Sequence, residues 1–173
     1  MRRVMLLRHA KSDWSQAAGD QERPLNERGR DAAPKIGRYI TQTQTVPDLI
    51  LCSTARRTRQ TCDLVAASFS TAPQILFKEE LYLAEAGTII GLVRAMPDTI
   101  HTVMVIGHNP GIHQAAVDLT GSGNAKDRAT LSARFPTAAL ALIDFSNGGW
   151  TDISLHAGKL DRFITPRLLS GED

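Results

Sequence analysis

The stretch Val4-Met5-Leu6-Leu7-Arg8-His9-Ala10-Lys11-Ser12 decides how the rest of the chain is interpreted. Its continuous apolar run predicts a buried strand that delivers Arg8 and His9 directly into a loop. Parallel α/β sheets carry their ligand sites at the carboxyl ends of strands, so this placement favours a ligand site at Arg8 and His9. An imidazole between Arg8 and Lys11 lies in a positive field that suits an anion such as phosphate. A histidine that only ends a buried strand fits the same stretch, so both interpretations stay open at this point.

Composition places the chain among ordinary globular proteins. Its 173 residues, 42% of them apolar, predict a single domain over residues 1–173. A net charge of +2 and an aromatic content of 5% argue against a nucleic-acid partner. No window approaches the roughly 18 apolar residues of a membrane span, and we see no secretory segment. Cys52 and Cys62 do not make a disulfide framework, so a reduced, cytoplasmic setting is expected.

Apolar runs and helical periodicities alternate along the chain. Strands are predicted over residues 3–8, 49–52, 75–77, 102–106, 138–145 and 150–155. Helices are predicted over residues 29–44, after a cap at Ser53 or Thr54, over 86–96 and over 110–120. The other segments are expected to be a loop at 15–24, a polar loop or short helix at 121–134, and a poorly patterned tail at 158–173.

This alternation predicts the α/β class, as a single three-layer α/β/α domain with a mostly parallel sheet. Ser146-Asn147-Gly148-Gly149 lies between the last two predicted strands and indicates a hairpin. An antiparallel edge of the sheet is therefore expected. Pro34 fits the first helix only in its first turn, because proline lacks the N–H that a helix interior uses.

Three of the predicted strands end in loops with the same chemistry. The first ends at Arg8 and His9, the second leads into the arginine-rich segment 53–59, and the third leads into His108 and Asn109. Because parallel strands bring their carboxyl ends to one edge, two histidines and at least two arginines should converge. A buried core does not use this set unless an anion neutralises it, and guanidinium groups match phosphate oxygens. We therefore expect phosphate or sulfate in this pocket.

Other site chemistries are less well supported. His108 and His113 are five positions apart, which does not match zincin spacing, and the nearby arginines repel a divalent cation, so no metal is expected. Glycine-rich Walker or dinucleotide loops are absent, and no cofactor is expected. A cysteine phosphatase needs arginine after five intervening residues, where Cys52 has Thr58. Cys52 is therefore expected to be a buried strand residue, and the remaining histidines to be structural or exposed.

Four motifs, in order along the chain, resemble those of one family. They are Leu6-Leu7-Arg8-His9-Ala10-Lys11-Ser12-Asp13-Trp14, Leu25-Asn26-Glu27-Arg28-Gly29, Ser53-Thr54-Ala55-Arg56-Arg57-Thr58-Arg59-Gln60-Thr61 and Gly107-His108-Asn109-Pro110-Gly111. The chain resembles the histidine phosphatase (phosphoglycerate mutase-like) superfamily over residues 4–120. The short chain and the form of the first motif are similar to its compact SixA-like phosphohistidine phosphatase branch.

The resemblance implies a role for four side chains. His9 would be the nucleophile and would carry a phosphohistidine intermediate. Arg8 and Arg57 would clamp the phosphate, and His108 would be the second histidine of the pocket. Arg57, and not Arg56, matches the second clamping arginine of the family. Arg57 stands four residues before Thr61, as the family's Arg-x-x-x-Thr pattern requires.

Some positions depart from the family pattern. Ala10 replaces the usual glycine, and Ser15 stands where larger members have a phosphate-binding asparagine. The carboxylate general acid of the family is expected near Glu79 and Glu80; both stay open as candidates beside a purely solvated role. Further substrate contacts are expected from Lys11, Ser15, Asn109 and Glu80.

Hydrolysis of phosphohistidine on a protein is the function that the sequence favours. An alkoxide leaving group needs a proton from the enzyme, whereas an imidazole leaving group takes one from water near neutral pH. The uncertain acid at Glu79 and Glu80 therefore points to an activated phosphoryl donor. Hydrolysis of a small phosphoester on the same fold, and a non-catalytic module that binds phosphate or a phosphoprotein, remain alternatives.

Overall fold

The computed structural model describes residues 1–15 and 17–171, which contain a seven-stranded sheet. The strands are β1 (Arg2–Arg8), β2 (Leu49–Ser53), β3 (Gln74–Lys78), β4 (Thr102–Gly107), β5 (Thr120–Gly123), β6 (Leu140–Phe145) and β7 (Gly158–Ile164). The α-helices are α1 (Glu27–Gln42), α2 (Arg56–Ala66), α3 (Ala86–Arg94), α4 (Gly111–Leu119), α5 (Ala125–Ala133) and α6 (Pro166–Leu169). Short 3₁₀ helices cover Asp20–Glu22, Glu79–Leu81 and Trp150–Asp152.

The strands are arranged in the order β3-β2-β4-β1-β6-β7-β5. Every pairing is parallel except the two that β6 makes with β1 and β7. The predicted class, a mostly parallel α/β sheet with antiparallel pairing on one side, is therefore confirmed. Among the helices of the described ranges, none is long and apolar enough to cross a membrane.

Both faces of the central strands are buried under helices. Val4 and Leu6 of β1 pack on the side of α3, α4 and α5, whereas Met5 and Leu7 pack on the side of α1, α2 and α6. These four side chains have no exposed surface. A strand covered on both sides needs apolar residues at every position, which explains the uninterrupted run that opens the chain. The three-layer arrangement is confirmed.

The hairpin predicted at residues 146–149 is wrong. Residues 150–152 form a 3₁₀ helix, in which the buried Trp150 donates its indole N–H to the carbonyl of Ile100 at 2.8 Å. The antiparallel partner of β6 is β7, inside the segment 158–173 that the sequence pattern predicts as a tail. A register shift within this pair disturbs the regular alternation by which a strand is recognised from sequence.

Several local predictions about the helices also change. α1 begins before Gly29, whose N–H donates to the capping side chain of Asn26 at 2.9 Å. Pro34 lies in the interior of α1 rather than in its first turn, so burial of one helix face outweighs a missing backbone hydrogen bond. Neither Ser53 nor Thr54 caps α2, which has no side-chain cap.

Parallel pairing brings the three predicted loops to one edge of the sheet. β4 lies between β1 and β2. Arg8 is paired with Gly107, and the N–H of His9 donates to the carbonyl of Gly107 at 3.1 Å. On the other side of β4, Cys52 is paired with Ile106, one residue before that glycine. The segments that follow β1, β2 and β4 are therefore direct neighbours.

Gly29 holds α1 against the loop that follows β1. A Cβ at this position would lie 2.1 Å from the carbonyl oxygen of Lys11. We expect Gly29→Ala to lower the free energy of unfolding by about 2 kcal/mol, because the backbone of the loop must move. Urea unfolding measures this change.

Gly91 in α3 provides the matched control, since a Cβ there meets nothing within 4 Å. Gly91→Ala is expected to raise the free energy of unfolding by roughly 0.5–1 kcal/mol through helix propensity. If both variants are stabilised alike, the close contact at Gly29 does not limit the packing of the loop.

Candidate active site

A cavity of about 320 Å³ opens at the carboxyl ends of the three central parallel strands, and we call it the site cavity. Its lining comprises Arg8, His9, Lys11, Ser12, Trp14, Asp20, Arg23, Arg57, Leu83, His108, Asn109 and Thr137.

His9 is buried at the edge of this cavity with one ring nitrogen engaged. Its Nδ1 lies 2.7 Å from the carbonyl oxygen of Ala10, which can only accept, so Nδ1 carries the proton. Nε2 therefore keeps a lone pair. Burial lowers the pKa of His9 to about 3, and repulsion from His108, Arg57 and Arg8 acts in the same direction. At neutral pH the imidazole is uncharged and able to act as a nucleophile.

His108 lies next to His9, with a distance of 5.4 Å between the ring centroids. Its Nδ1 accepts a hydrogen bond from Nη2 of Arg57 at 3.2 Å, because a guanidinium can only donate. The proton is therefore on Nε2, which donates to Oγ of Ser53 at 2.7 Å. Burial and the charge of Arg57 lower the pKa of His108 to about 4, so this ring is neutral as well.

Arg57 is the most deeply buried charge of the site, with 2% of its surface exposed. It lies in the first turn of α2, where Thr61 one turn later donates to its backbone carbonyl at 2.7 Å. Thr61 Oγ1 also accepts the N–H of Ala10 at 3.0 Å, which ties this turn to the loop of His9. Arg56, the preceding residue, is exposed, in agreement with the choice of Arg57 from the motif.

Arg8 and Asn109 share one hydrogen-bond acceptor. Nη1 of Arg8 and Nδ2 of Asn109 both donate to the carbonyl of Phe135, at 3.1 and 2.9 Å. Burial, followed by the charge of Arg57, lowers the pKa of Arg8. Within the described residues, Nε of Arg8, Nε of Arg57 and Oδ1 of Asn109 are buried without a hydrogen-bond partner. Unused polar groups at one cavity indicate a place for a polar ligand.

Asp20 supplies the anion that this cluster requires. Its Oδ2 accepts from Nη2 of Arg57 at 3.1 Å and from the hydroxyl of Tyr82, and its Oδ1 accepts from Arg23 at 3.1 Å. The backbone carbonyl of Asp20 accepts from Nη1 of Arg57 at 2.7 Å. The hydrogen bond from Tyr82 and those from the arginines lower the pKa of Asp20 to about 2. The carboxylate of Asp20 therefore binds the guanidinium of Arg57, to which a phosphate would bind.

The structure brings together six of the eight residues predicted from sequence. The site cavity is lined by Arg8, His9, Lys11, Arg57, His108 and Asn109. Ser15 is exposed, and its N–H and hydroxyl both donate to Asp13, so it does not reach the cavity. Glu80 is exposed in a 3₁₀ helix after β3 and does not line the cavity, and the same holds for Glu79.

Sequence reasoning misses Asp20, Arg23 and Tyr82. Arg23 is buried, donates to Ser12 Oγ, and stacks its guanidinium on the ring of Trp14 at 3.5 Å. The one signal in the sequence is that Asp20 and Arg23 lie a few residues before the motif that begins at Leu25. A polar loop without periodicity does not indicate which of its charges fold inward.

The cysteine and metal alternatives gain no support. Cys52 is fully buried in β2, as expected, and a contact with Cys62 raises its pKa well above the usual value. In residues 1–15 and 17–171 no group of three or more His, Cys, Asp or Glu side chains is arranged to hold a metal ion.

Comparison with known proteins identifies the family. The family profile of the histidine phosphatase superfamily (branch 1) matches residues 4–94 of the sequence. An uncharacterised protein of Mycobacterium leprae is 33% identical over 166 residues, which cover 93% of this chain and 100% of that protein. The chain therefore belongs to the histidine phosphatase superfamily and is a phosphatase.

Solved structures indicate the branch. A protein of Agrobacterium tumefaciens assigned as the phosphohistidine phosphatase SixA is 33% identical, with a TM-score of 0.81 over 95% of this chain and 98% of that one. Its counterpart from Nakamurella multipartitia is 28% identical, with a TM-score of 0.83 over 95% and 96%. A tungstate complex of SixA, 20% identical with a TM-score of 0.78 over 96% and 99%, supports the fold alone. The SixA-like branch is thereby confirmed.

The contact between Asp20 and Arg57 makes a prediction about anion binding. We expect Asp20→Asn to bind inorganic tungstate or phosphate about tenfold more tightly, because the variant removes a negative charge that competes for Arg57. Isothermal titration calorimetry measures the affinities. Asp127→Asn in α5, away from the cavity, is the matched control. Equal or weaker binding by Asp20→Asn would contradict the competition.

The low pKa values of the two histidines predict a response to the bound anion. Burial and nearby guanidinium groups disfavour the protonated rings of His9 and His108, whose pKa values are about 3 and 4. A phosphate anion between Arg8 and Arg57 offsets this repulsion, so saturating phosphate should raise both pKa values towards the ordinary 6.5. Proton-detected NMR titrations with and without phosphate test this. Unchanged pKa values would place the anion elsewhere.

Proposed function

We propose that the chain hydrolyses phosphohistidine on a protein substrate through a phosphorylated intermediate at His9. The observation that carries the proposal is the state of His9. Its ring is buried and neutral, its Nδ1 is held by the carbonyl of Ala10, and it lines a cavity with Arg8 and Arg57. A fixed neutral imidazole beside two cationic donors is suited to attack a phosphoryl group.

In the first step, the lone pair on Nε2 of His9 forms a bond to phosphorus. The P–N bond of the substrate breaks, its electron pair goes to the departing imidazole, and that imidazole takes a proton from water. Arg8 and Arg57 bind the phosphoryl oxygens, with Arg57 exchanging the carboxylate of Asp20 for the substrate. The phosphoryl charge thus replaces the negative charge that Asp20 supplies in the free enzyme.

In the second step, water attacks phosphorus in line with Nε2 of His9. A P–O bond forms, the P–N bond to His9 breaks, and its electron pair returns to Nε2 as the neutral ring. The proton of the attacking water leaves with phosphate or solvent. The hydrogen bond from Nδ1 to Ala10 keeps the same tautomer through both steps.

The site favours an activated phosphoryl donor over an alkyl ester. Glu79 and Glu80 do not line the cavity, and the carboxyl of Asp20, with a pKa of about 2, is ionised at neutral pH. Neither arrangement offers a proton to an alkoxide. An imidazole leaves without this help. The two SixA structures that are 33% and 28% identical to this chain support the same substrate class.

The direct test uses a histidine-phosphorylated protein that carries a radiolabel. The wild-type enzyme should release labelled phosphate, and a rapid alkaline quench should trap label on the enzyme, because phosphohistidine survives in base. His9→Ala should do neither, while His101→Ala, at an exposed histidine, should behave as wild type. Arg57→Ala should lower the rate by on the order of 10² to 10³, as for other preorganised donors.

Three outcomes of this experiment, with an alkyl phosphate and inorganic phosphate tested in parallel, decide between the alternatives. Equal phosphate release by His9→Ala would overturn the role of His9. Rapid turnover of alkyl phosphates with none of the labelled protein would assign the site to small phosphoesters. Binding of phosphate without release or covalent label would identify a non-catalytic module.

A further inference from the structure

A second depression adjoins the site cavity, with a volume of about 380 Å³, and we call it the basic groove. Its lining comprises Lys11, Arg28, Asp31, Ala32, Lys35, Arg134, Pro136, Thr137, Thr165, Pro166, Arg167 and Ser170. Lys11 and Thr137 line both depressions, so the groove continues directly from the place where the phosphoryl group would bind.

The charge of the groove is predominantly positive. Among its described residues, Asp31 is the one acid, beside five exposed cations: Lys11, Arg28, Lys35, Arg134 and Arg167. None of these five makes an ion pair with another residue of the described ranges. Elsewhere the arginines Arg2, Arg3 and Arg162 are paired with aspartates. Unpaired cations gathered on one wall create a field that attracts an anionic partner.

The cations come from four separate parts of the chain, of which the loop after β1 supplies Lys11. Arg28 and Lys35 are seven positions apart on α1, on one helix face. Arg134 precedes β6, and Arg167 lies in α6. Packing of α1 against α6 therefore assembles the groove, which no single charged segment would form.

The site cavity has an apolar rim outside the groove. Trp14 and Leu83 line the cavity with 75% and 56% of their surfaces exposed, and neither lines the basic groove. Leu83 has a φ of 50°, a backbone conformation that a leucine rarely adopts and that costs free energy. Exposed apolar side chains next to a polar pocket are typical of a surface that contacts a macromolecule.

We propose that the basic groove binds acidic residues next to the phosphorylated residue of a protein substrate, while Trp14 and Leu83 contact apolar neighbours. This inference rests on the proposed function, because it adds a docking surface to the same site. A small phosphoester fills the site cavity alone and, apart from Lys11, which lines both depressions, leaves the cations of the groove unused. A nucleic acid is less suited, because Asp31 lies in the groove and the chain carries a net charge of only +2.

The test uses two peptides of the same length with a non-hydrolysable phosphoryltriazole analogue of phosphohistidine. One has glutamates on both sides of the analogue, and the other has glutamines. Fluorescence anisotropy should show that the wild-type enzyme binds the glutamate peptide about tenfold more tightly at low salt, and that added salt reduces the difference. Equal affinities would overturn the groove assignment.

A pair of charge reversals locates the effect. Lys35 and Arg167 line the groove but not the site cavity, so Lys35→Glu/Arg167→Glu should abolish the preference for the glutamate peptide. It should leave turnover of para-nitrophenyl phosphate unchanged, because neither residue lines the site cavity. The leaving group of this substrate needs no proton, so its turnover reports on the site cavity alone. The control is Lys126→Glu/Arg128→Glu in α5, across the sheet, which should keep the preference. Loss in both variants, or in neither, would overturn the proposal.

Two further measurements distinguish failure of the groove assignment from failure of the proposed function. If neither true phosphohistidine peptide is hydrolysed while the analogue preference persists and depends on Lys35 and Arg167, the proposed function fails and the groove assignment stands. If both peptides are hydrolysed with equal kcat/KM and bound equally, the function stands and the groove assignment fails. Tighter binding of a single-stranded oligonucleotide than of the glutamate peptide, lost in Lys35→Glu/Arg167→Glu, would assign the groove to nucleic acid instead.

Discussion

The parallel pairing of β1 with β4 is the constraint on which the site depends. It places Arg8 opposite Gly107, and the backbone bond from His9 to Gly107 extends the pairing one residue into the loop. His9 and His108 are thereby fixed side by side before any side-chain contact is made. Because both strands are buried on two faces and β1 ends in Arg8, a slip in register would draw this charged residue towards the apolar layers. Backbone pairing thus sets the spacing of the two rings.

The charge balance of the site follows from this geometry. Arg57 is brought against His108 by α2, and its buried cation requires a partner. Two neutral histidines cannot supply one, and their low pKa values are the response of the rings to burial and to the arginines. Asp20 provides the counter-charge from a loop, where the carboxylate stays partly exposed. Arg57 is therefore paired with Asp20, and binding of a phosphoryl group there would exchange one anion for another at the same guanidinium.

The parts of the site that lie on regular elements are predictable from sequence. The apolar runs of β1 and β4 identify their ends, so His9 and His108 can be placed together without a structure. Asp20 cannot be found in this way, because its position depends on a loop that has no periodicity. Ser15 fails for the same reason: its hydroxyl is satisfied locally by Asp13 rather than by the cavity. Short-range hydrogen bonds in polar loops compete with the contacts that a motif suggests.

The fold shows the same division between patterned and unpatterned segments. The parallel strands from β1 to β4 are continuous apolar runs, which the sequence shows directly. β7 carries Lys159, Asp161 and Arg162 among its apolar residues, and the shift in its pairing with β6 breaks the alternation. Its charges are used in part across the sheet, since Arg3 of β1 binds both Asp144 of β6 and Asp161 of β7. A strand whose polar side chains are satisfied across the sheet looks like a loop when read alone.

The loop that carries Asp20 is tied at its base by backbone hydrogen bonds. The N–H of Asp13 donates to Pro24, and the N–H of Asn26 donates to Lys11, at 2.8 and 3.0 Å. These backbone bonds fix the segment next to His9 whatever the position of Asp20. The contacts of Asp20 with Arg23 and Tyr82, in contrast, are made by a partly exposed carboxylate, and an ion pair of a partly exposed group contributes little net free energy. Release of Arg57 to a phosphoryl group therefore leaves the nucleophile undisturbed.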